Sequence, residues 1–347
     1  MTSERGRLQV DEDGVVHVES FELPLSAALS DRSRRALAVA LSRQQQTVIV
    51  RARDFADEAS FKAAVDDFRK NVDQAFARPL AERLLKAFPV AITQARVGGV
   101  AIEEFTPLDG LDRERVLINL HGGAFYAGAI YNARIESIPI AHLGKFRVVS
   151  VDYRQGYEHK FPAASEDVAA VYAELLKDYP AERIGIYGGS AGGVLTAQAT
   201  AWILQQGLPA PGAIGILGAG TGGRGDSDYF GAIGTGQAPP AMELGRLADA
   251  AVGYFSEASD DDPLVNPMIA PEAFRARFPP TILITGTRAF DMSPAIATHR
   301  ALVQAGVEAQ LHVFDGHGHC FYYDAASPEG ADANQTIIRF FRKHLAG

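Results

Sequence analysis

A serine attacks a carbonyl carbon efficiently only where a turn exposes its hydroxyl and backbone donors stand ready for the charge that develops. Gly188-Gly189-Ser190-Ala191-Gly192 has the composition of such a turn. It follows the apolar run Arg-Ile-Gly-Ile-Tyr at 183–187 and precedes Val-Leu-Thr-Ala-Gln-Ala-Thr-Ala-Trp at 194–202, so a strand–turn–helix is predicted. In a G-x-S-x-G turn the serine is strained, and small residues two before and two after it keep strand and helix from clashing. The N–H of Ala191 then opens the helix and points at a developing oxyanion. The plainer alternative is a glycine-rich turn with an incidental serine, which the strand-to-helix setting disfavours. A second candidate is His121-Gly122-Gly123-Ala124-Phe125, directly after the apolar run 116–120. Consecutive glycines let a loop bring backbone N–H groups close to a ligand. His121 reads as the anchor of that loop rather than as a base.

These residues need a frame. From Leu29 to Phe88 the pattern is helical, with Ser30 and Asp31 as cap residues. Phe61, Val65, Phe68, Val72 and Phe76 recur at steps of three or four, which predicts one apolar stripe on a single helix, followed by a short helix over 80–87. Beyond Phe88, residues 90–96 and 100–105 flank Gly98-Gly99 as a hairpin. Short apolar runs at 116–120, 147–151, 183–187, 213–217, 281–285 and 309–314 suit strands buried on both faces of a parallel sheet. Helical stretches lie between them; one ends at Pro180, and another starts with Ser293 as cap and Pro294 in its first turn and stops at Gly306. Strand–helix alternation over this length means a doubly wound α/β sheet.

The serine turn and the H-G-G loop are joined by Val151-Asp152-Tyr153-Arg154, by Glu158-His159-Lys160-Phe161-Pro162-Ala163-Ala164 with Glu166-Asp167, and by Asp262-Pro263 with Asn266-Pro267. Together they resemble the hormone-sensitive lipase family of α/β-hydrolase serine esterases, from about residue 90 to the C-terminus. The resemblance implies an α/β-hydrolase fold at residues 89–347, with a mostly parallel sheet flanked by helices, and an N-terminal helical cap at residues 1–88. It implies an oxyanion hole from the N–H groups of Gly122, Gly123 and Ala191. The triad order in this fold is serine, acid, histidine. The family's G-x-x-H-G-F pattern sets His319 as the base, with His317 an exposed or loop-forming neighbour. The family's acid position falls on Ala289, so Asp291, two residues later, is taken as the orienter of His319; the alternative is that Asp291 only caps the helix at Ser293. Ala124 and Gly189 also depart from the family pattern, without removing a reacting group.

Other chemistries are weaker. His317 and His319 lack a third metal ligand nearby, and Cys320 should point away from its neighbour His319 as inert packing. Gly218-Ala-Gly-Thr-Gly-Gly223 spells a dinucleotide fingerprint with Glu243 beyond it, but the segment from Arg224 reads as loop, not the helix that would hold a pyrophosphate. With 33 basic and 42 acidic residues the net charge is −9, which disfavours nucleic acid. No stretch approaches a membrane span, no leader is read at the N-terminus, and the lone cysteine allows no internal disulfide, so a cytoplasmic location is expected. The expectation is a serine carboxylesterase for short to medium acyl esters, without metal or cofactor, with a homodimer possible from the resemblance. Phe21, Phe55, Phe61 and Phe125 are candidates for an apolar pocket. Lactone or amide hydrolysis by the same mechanism stays open, as does a non-catalytic small-molecule receptor on the same fold.

Overall fold

The computed structural model describes residues 8–19, 22–42, 55–221, 225–234 and 253–345. Two short exposed strands, β1 (Leu8–Val10) and β2 (Val16–Val18), form a hairpin that the sequence pattern does not announce. Helix α1 (Asp31–Ser42) follows; Ser30 Oγ accepts the Ser33 N–H at 3.2 Å, in the predicted cap role. Then come α2 (Glu58–Asn71), a π-helical turn over Val72–Ala77, and α3 (Arg78–Ala87).

The predicted single stripe is broken by that π turn. Its wider winding rotates the downstream face, so Ala77, Ala81 and Leu84 are buried while Phe76 is 56% exposed. Phe61 and Val65 cluster with Tyr126 and Ala127, whereas Ala81 and Leu84 share a core with Phe105, Ile135 and Ile138. A boundary at residue 88 therefore cuts through a packed layer, because α3 is bound into the sheet's own core.

The chain then builds the hairpin β3 (Val90–Val97) and β4 (Val100–Pro107), turning at Gly98 and Gly99 with positive φ at both, as a tight right-twisted hairpin requires. Next come β5 (Asp112–Leu120), α4 (Tyr131–Gly144), β6 (Phe146–Val151), α5 (Ala163–Leu175), β7 (Ile184–Gly189), α6 (Ala191–Gln205) and β8 (Ala213–Leu217). The remainder is α7 (Ser227–Gly234), α8 (Glu272–Arg275), β9 (Thr281–Gly286), α9 (Met292–Gln304), β10 (Ala309–Phe314) and α10 (Pro328–His344). Helix α7 begins where a loop was expected, a correction for Ser227, Asp228 and Tyr229; Gly222, Gly223, Arg224 and Glu243 lie outside the described residues.

One sheet of eight strands runs β10-β9-β8-β7-β5-β6-β4-β3, parallel from β10 to β6 and antiparallel at β4 and β3. Both faces are covered, which explains the continuous apolar runs. Val116, Ile118 and Leu120 pack with α5 and α6 on one face, while Leu117 packs with α4 and α10 on the other. Every candidate site residue sits just beyond the C-terminal end of β5, β7, β9 or β10, the edge where open α/β sheets bind ligands.

Candidate active site

Ser190 follows β7 with φ 55° and ψ −122°, a conformation rare outside glycine. The strain persists because strand and helix leave no alternative. A Cβ at Gly188 or Gly192 would run into the Leu120 carbonyl, so both positions must be glycine. Ser190's own N–H donates to the Leu217 carbonyl at 2.8 Å, which ties the turn to β8. The Ala191 N–H opens α6, where a helix has no internal acceptor.

The structure brings the three predicted side chains together from separate strands. Ser190 Oγ lies 2.9 Å from His319 Nε2, and His319 Nδ1 lies 2.7 Å from Asp291 Oδ1. Asp291 is buried, and its other oxygen accepts the Thr285 hydroxyl at 2.6 Å. Helix α9 starts at Met292, one residue before the predicted cap, so Asp291 occupies the N-cap position. Its side chain makes no capping hydrogen bond; Ser293, the expected cap, instead accepts the Ser227 N–H at 3.1 Å. Ala289, at the family's acid position, is buried. With Nδ1–H donating to Asp291, Nε2 is left to accept the Ser190 hydroxyl.

Burial alone would lower the His319 pKa; the Cys320 sulfur and the Asp291 carboxylate outweigh it and hold the pKa above the ordinary 6.5. Cys320 corrects another expectation. It adopts φ 53°, which swings Sγ back to 3.4 Å from His319 Nε2, with the Tyr322 hydroxyl also at 3.4 Å. Adjacent residues diverge in extended chain but not in this left-handed turn. The Phe290 ring lies against the imidazole, centroids 4.3 Å apart. His317 is buried, not exposed: it packs on Phe321 with its Nε2 3.7 Å from Glu329. Glu329 accepts both the N–H and the hydroxyl of Ser30 and the hydroxyl of Ser33, so the N-terminal segment is tied to α10, while the Ser26 hydroxyl donates to Asp315 at the start of the loop that carries His319.

The glycine loop needs one correction. The Gly122 N–H donates to the buried Glu136 carboxylate at 2.9 Å and is not free for an oxyanion. Among the described residues, neither the Gly123 nor the Ala124 N–H finds an acceptor. Ala124 and Phe125 both have positive φ, at 56° and 62°, which turns this backbone inward. His121 is fully buried, stacked on Tyr153 at 4.3 Å, with its pKa lowered to about 4 by burial. It is a neutral anchor of the loop.

Of the pocket candidates, Phe125 is core: it stacks on Tyr254 and meets Phe255 edge-on. Phe61 is buried against Phe55 and Tyr157, and Phe21 lies outside the described residues. Among the described residues no three His, Cys, Asp or Glu side chains gather as a metal site, and no helix is long and apolar enough to cross a membrane. Sequence reasoning missed Thr285, Glu136 and Tyr323, which carry no motif; only their contacts reveal them.

Several proteins of similar sequence and structure are named esterases. The sequence profile of a family with the alpha/beta hydrolase fold matches residues 117–323. An acetyl-hydrolase of Streptomyces hygroscopicus is 26% identical over 235 residues, covering 66% of this chain and 75% of its own. An esterase of Acinetobacter venetianus is 24% identical over 280 residues, 76% of this chain and 87% of its own. The crystal structure of an esterase, E25, superposes with a TM-score of 0.79 at 30% identity, over 94% of this chain and 98% of that one. An esterase from the bacterial hormone-sensitive lipase family superposes with a TM-score of 0.68 at 27% identity, over 84% of this chain and all of its own. The chain belongs to the α/β hydrolase fold family, beside esterases of the bacterial hormone-sensitive lipase group, and is a carboxylesterase-type hydrolase.

Proposed function

We propose that the chain hydrolyses short to medium acyl esters through an acyl-enzyme on Ser190, with His319 as base and acid and Asp291 as orienter. The observation that carries this reading is the unbroken line from Asp291 through His319 to Ser190, with contacts of 2.7 and 2.9 Å. His319 Nε2 takes the Ser190 proton as Oγ attacks the ester carbonyl carbon. The carbonyl electrons move onto oxygen, and the N–H groups of Gly123, Ala124 and Ala191 are the donors available to that oxyanion. Gly122, in the sequence-based set, is replaced by Ala124 because its N–H is bonded to Glu136. Collapse of the tetrahedral intermediate expels the alkoxide, which takes the proton from His319. Water then attacks the acyl carbon with its proton passing to Nε2, and as the second intermediate collapses the carbon–Oγ bond breaks, Nε2 returns the proton to Ser190 Oγ and the carboxylic acid leaves. Asp291 holds the tautomer and stabilises the imidazolium, and Thr285 fixes the carboxylate.

The Streptomyces relative is named an acetyl-hydrolase, which makes p-nitrophenyl acetate and butyrate the first substrates to try. Wild-type protein is expected to hydrolyse both, and Ser190→Ala to lower kcat by ~10⁴ to 10⁶ with unchanged circular dichroism. A serine-directed organophosphate should label Ser190. Full turnover in Ser190→Ala would sink the assignment.

A further inference from the structure

Directly behind the nucleophile lies a carboxylate that the reaction does not consume. Glu136, on α4, is 6% exposed. Its Oε1 accepts the Gly122 N–H at 2.9 Å and the Tyr323 hydroxyl at 2.6 Å. Its Oε2 accepts the Asn119 amide at 3.0 Å and the Gly189 N–H at 3.1 Å. These donors come from the end of β5, the glycine loop, the serine turn and the segment just past His319. All are neutral; among the described residues no cation pairs with this carboxylate. The space beside it is tight: a Cβ on Gly189 would come within 2.8 Å of Glu136 Oε1, and one on Gly122 within 2.9 Å of the Tyr323 hydroxyl and 3.2 Å of Ser190 Cβ.

Resting on the triad reading above, we propose that Glu136 is a positioning residue for the oxyanion hole: its carboxylate clamps the glycine loop to the serine turn so that their free N–H groups converge on one point. The segments it joins carry the donors on either side, Gly123 and Ala124 next to Gly122, and Ala191 two residues past Gly189. The carboxylate holds both, because one oxygen reaches the loop and the other reaches the turn. Burial raises the Glu136 pKa, to about 7, against the four hydrogen bonds that lower it. The site therefore keeps an expensive group where an apolar side chain would fill the same volume.

Glu136→Gln tests the clamp with almost no change of shape. An amide offers one acceptor oxygen where the carboxylate offers two. If that oxygen faces Asn119 and Gly189, the Gly122 N–H loses its acceptor; if it faces Gly122 and Tyr323, the Gly189 N–H does. Misplacement of the donors by less than an ångström should lower kcat by about 10²-fold with KM within about twofold. Affinity for a boronic acid, which forms a tetrahedral adduct on serine, should fall in step with kcat/KM. Rates are taken per active site titrated with organophosphate, so loss of folded enzyme does not imitate the effect. Tyr323→Phe removes one donor but neither backbone contact and should cost less than about tenfold. If Glu136→Gln turns over at the wild-type rate per titrated site, or binds the boronic acid undiminished, the clamp is wrong. Should Ser190→Ala still abolish activity in that case, the triad reading stands without it; wild-type turnover in Ser190→Ala would remove both.

Discussion

The serine turn at the end of β7 and the loop at the end of β9 each present a functional group to the same space, by opposite means. The turn is fixed by backbone. Ser190 is held at φ 55° because the Leu120 carbonyl forbids any side chain at Gly188 or Gly192. In the β9 loop it is the carboxylate that is fixed by side chains: Asp291 is oriented by the Thr285 hydroxyl on one oxygen and meets His319 with the other. Steric exclusion by backbone tolerates no displacement along the chain, so the turn keeps its five-residue form. A hydrogen-bonded carboxylate requires only that its oxygen reach the imidazole, so the proposed acid can stand two residues beyond Ala289.

The two kinds of constraint should fail differently. Gly192→Ala drives a Cβ into the Leu120 carbonyl and is expected to yield no folded protein, as judged by soluble expression and thermal unfolding. Soluble, active Gly192→Ala would show that the turn is less rigid than its backbone implies. In the β9 loop, Asp291→Asn should keep the fold, since the carboxylate caps no helix N–H, and lower kcat by ~10³ to 10⁴ with KM little changed. Wild-type turnover in that variant would leave a Ser–His dyad. Thr285→Val removes the hydroxyl that steadies Asp291; we expect a kcat loss of about tenfold, and an unchanged rate would mean that packing alone holds the carboxylate.

The smallest effect concerns pH. In the proposed mechanism His319 acts only when unprotonated, and its pKa is held above 6.5, so activity should rise with pH through a midpoint above 6.5. The same shift has a stability sign. A raised folded pKa gives stabilisation that is complete below the unfolded value and is lost as pH rises through the folded one. Because the Cys320 sulfur contributes to the shift, Cys320→Ala should move the acid limb of the kcat/KM profile downward at constant plateau rate. An unmoved limb would assign the shift to Asp291.

Much of this was legible in the chain. The parallel strands, the hairpin at Gly98-Gly99 and the serine turn follow from apolar runs and local turn chemistry, which depend on a few neighbouring residues, whereas Asp291 and His319 were reached only through the family resemblance. The π turn at Val72–Ala77 was not legible, because the stripe from Phe61 continues unbroken in the sequence and only packing of Ala77, Ala81 and Leu84 selects the rotated face. Nor was the swing of Cys320, which depends on one left-handed residue.

The sequence by itself determined where the proposed nucleophile stands, since a strained G-x-S-x-G turn between strand and helix is a local steric solution. Only the tertiary structure decided which donors remain for the oxyanion. Gly122 and Gly123 are adjacent and alike in sequence. Glu136, fourteen residues beyond Gly122 and on another element, takes the N–H of one and leaves the other, because a buried carboxylate must be satisfied by whatever donors the fold brings within 3 Å.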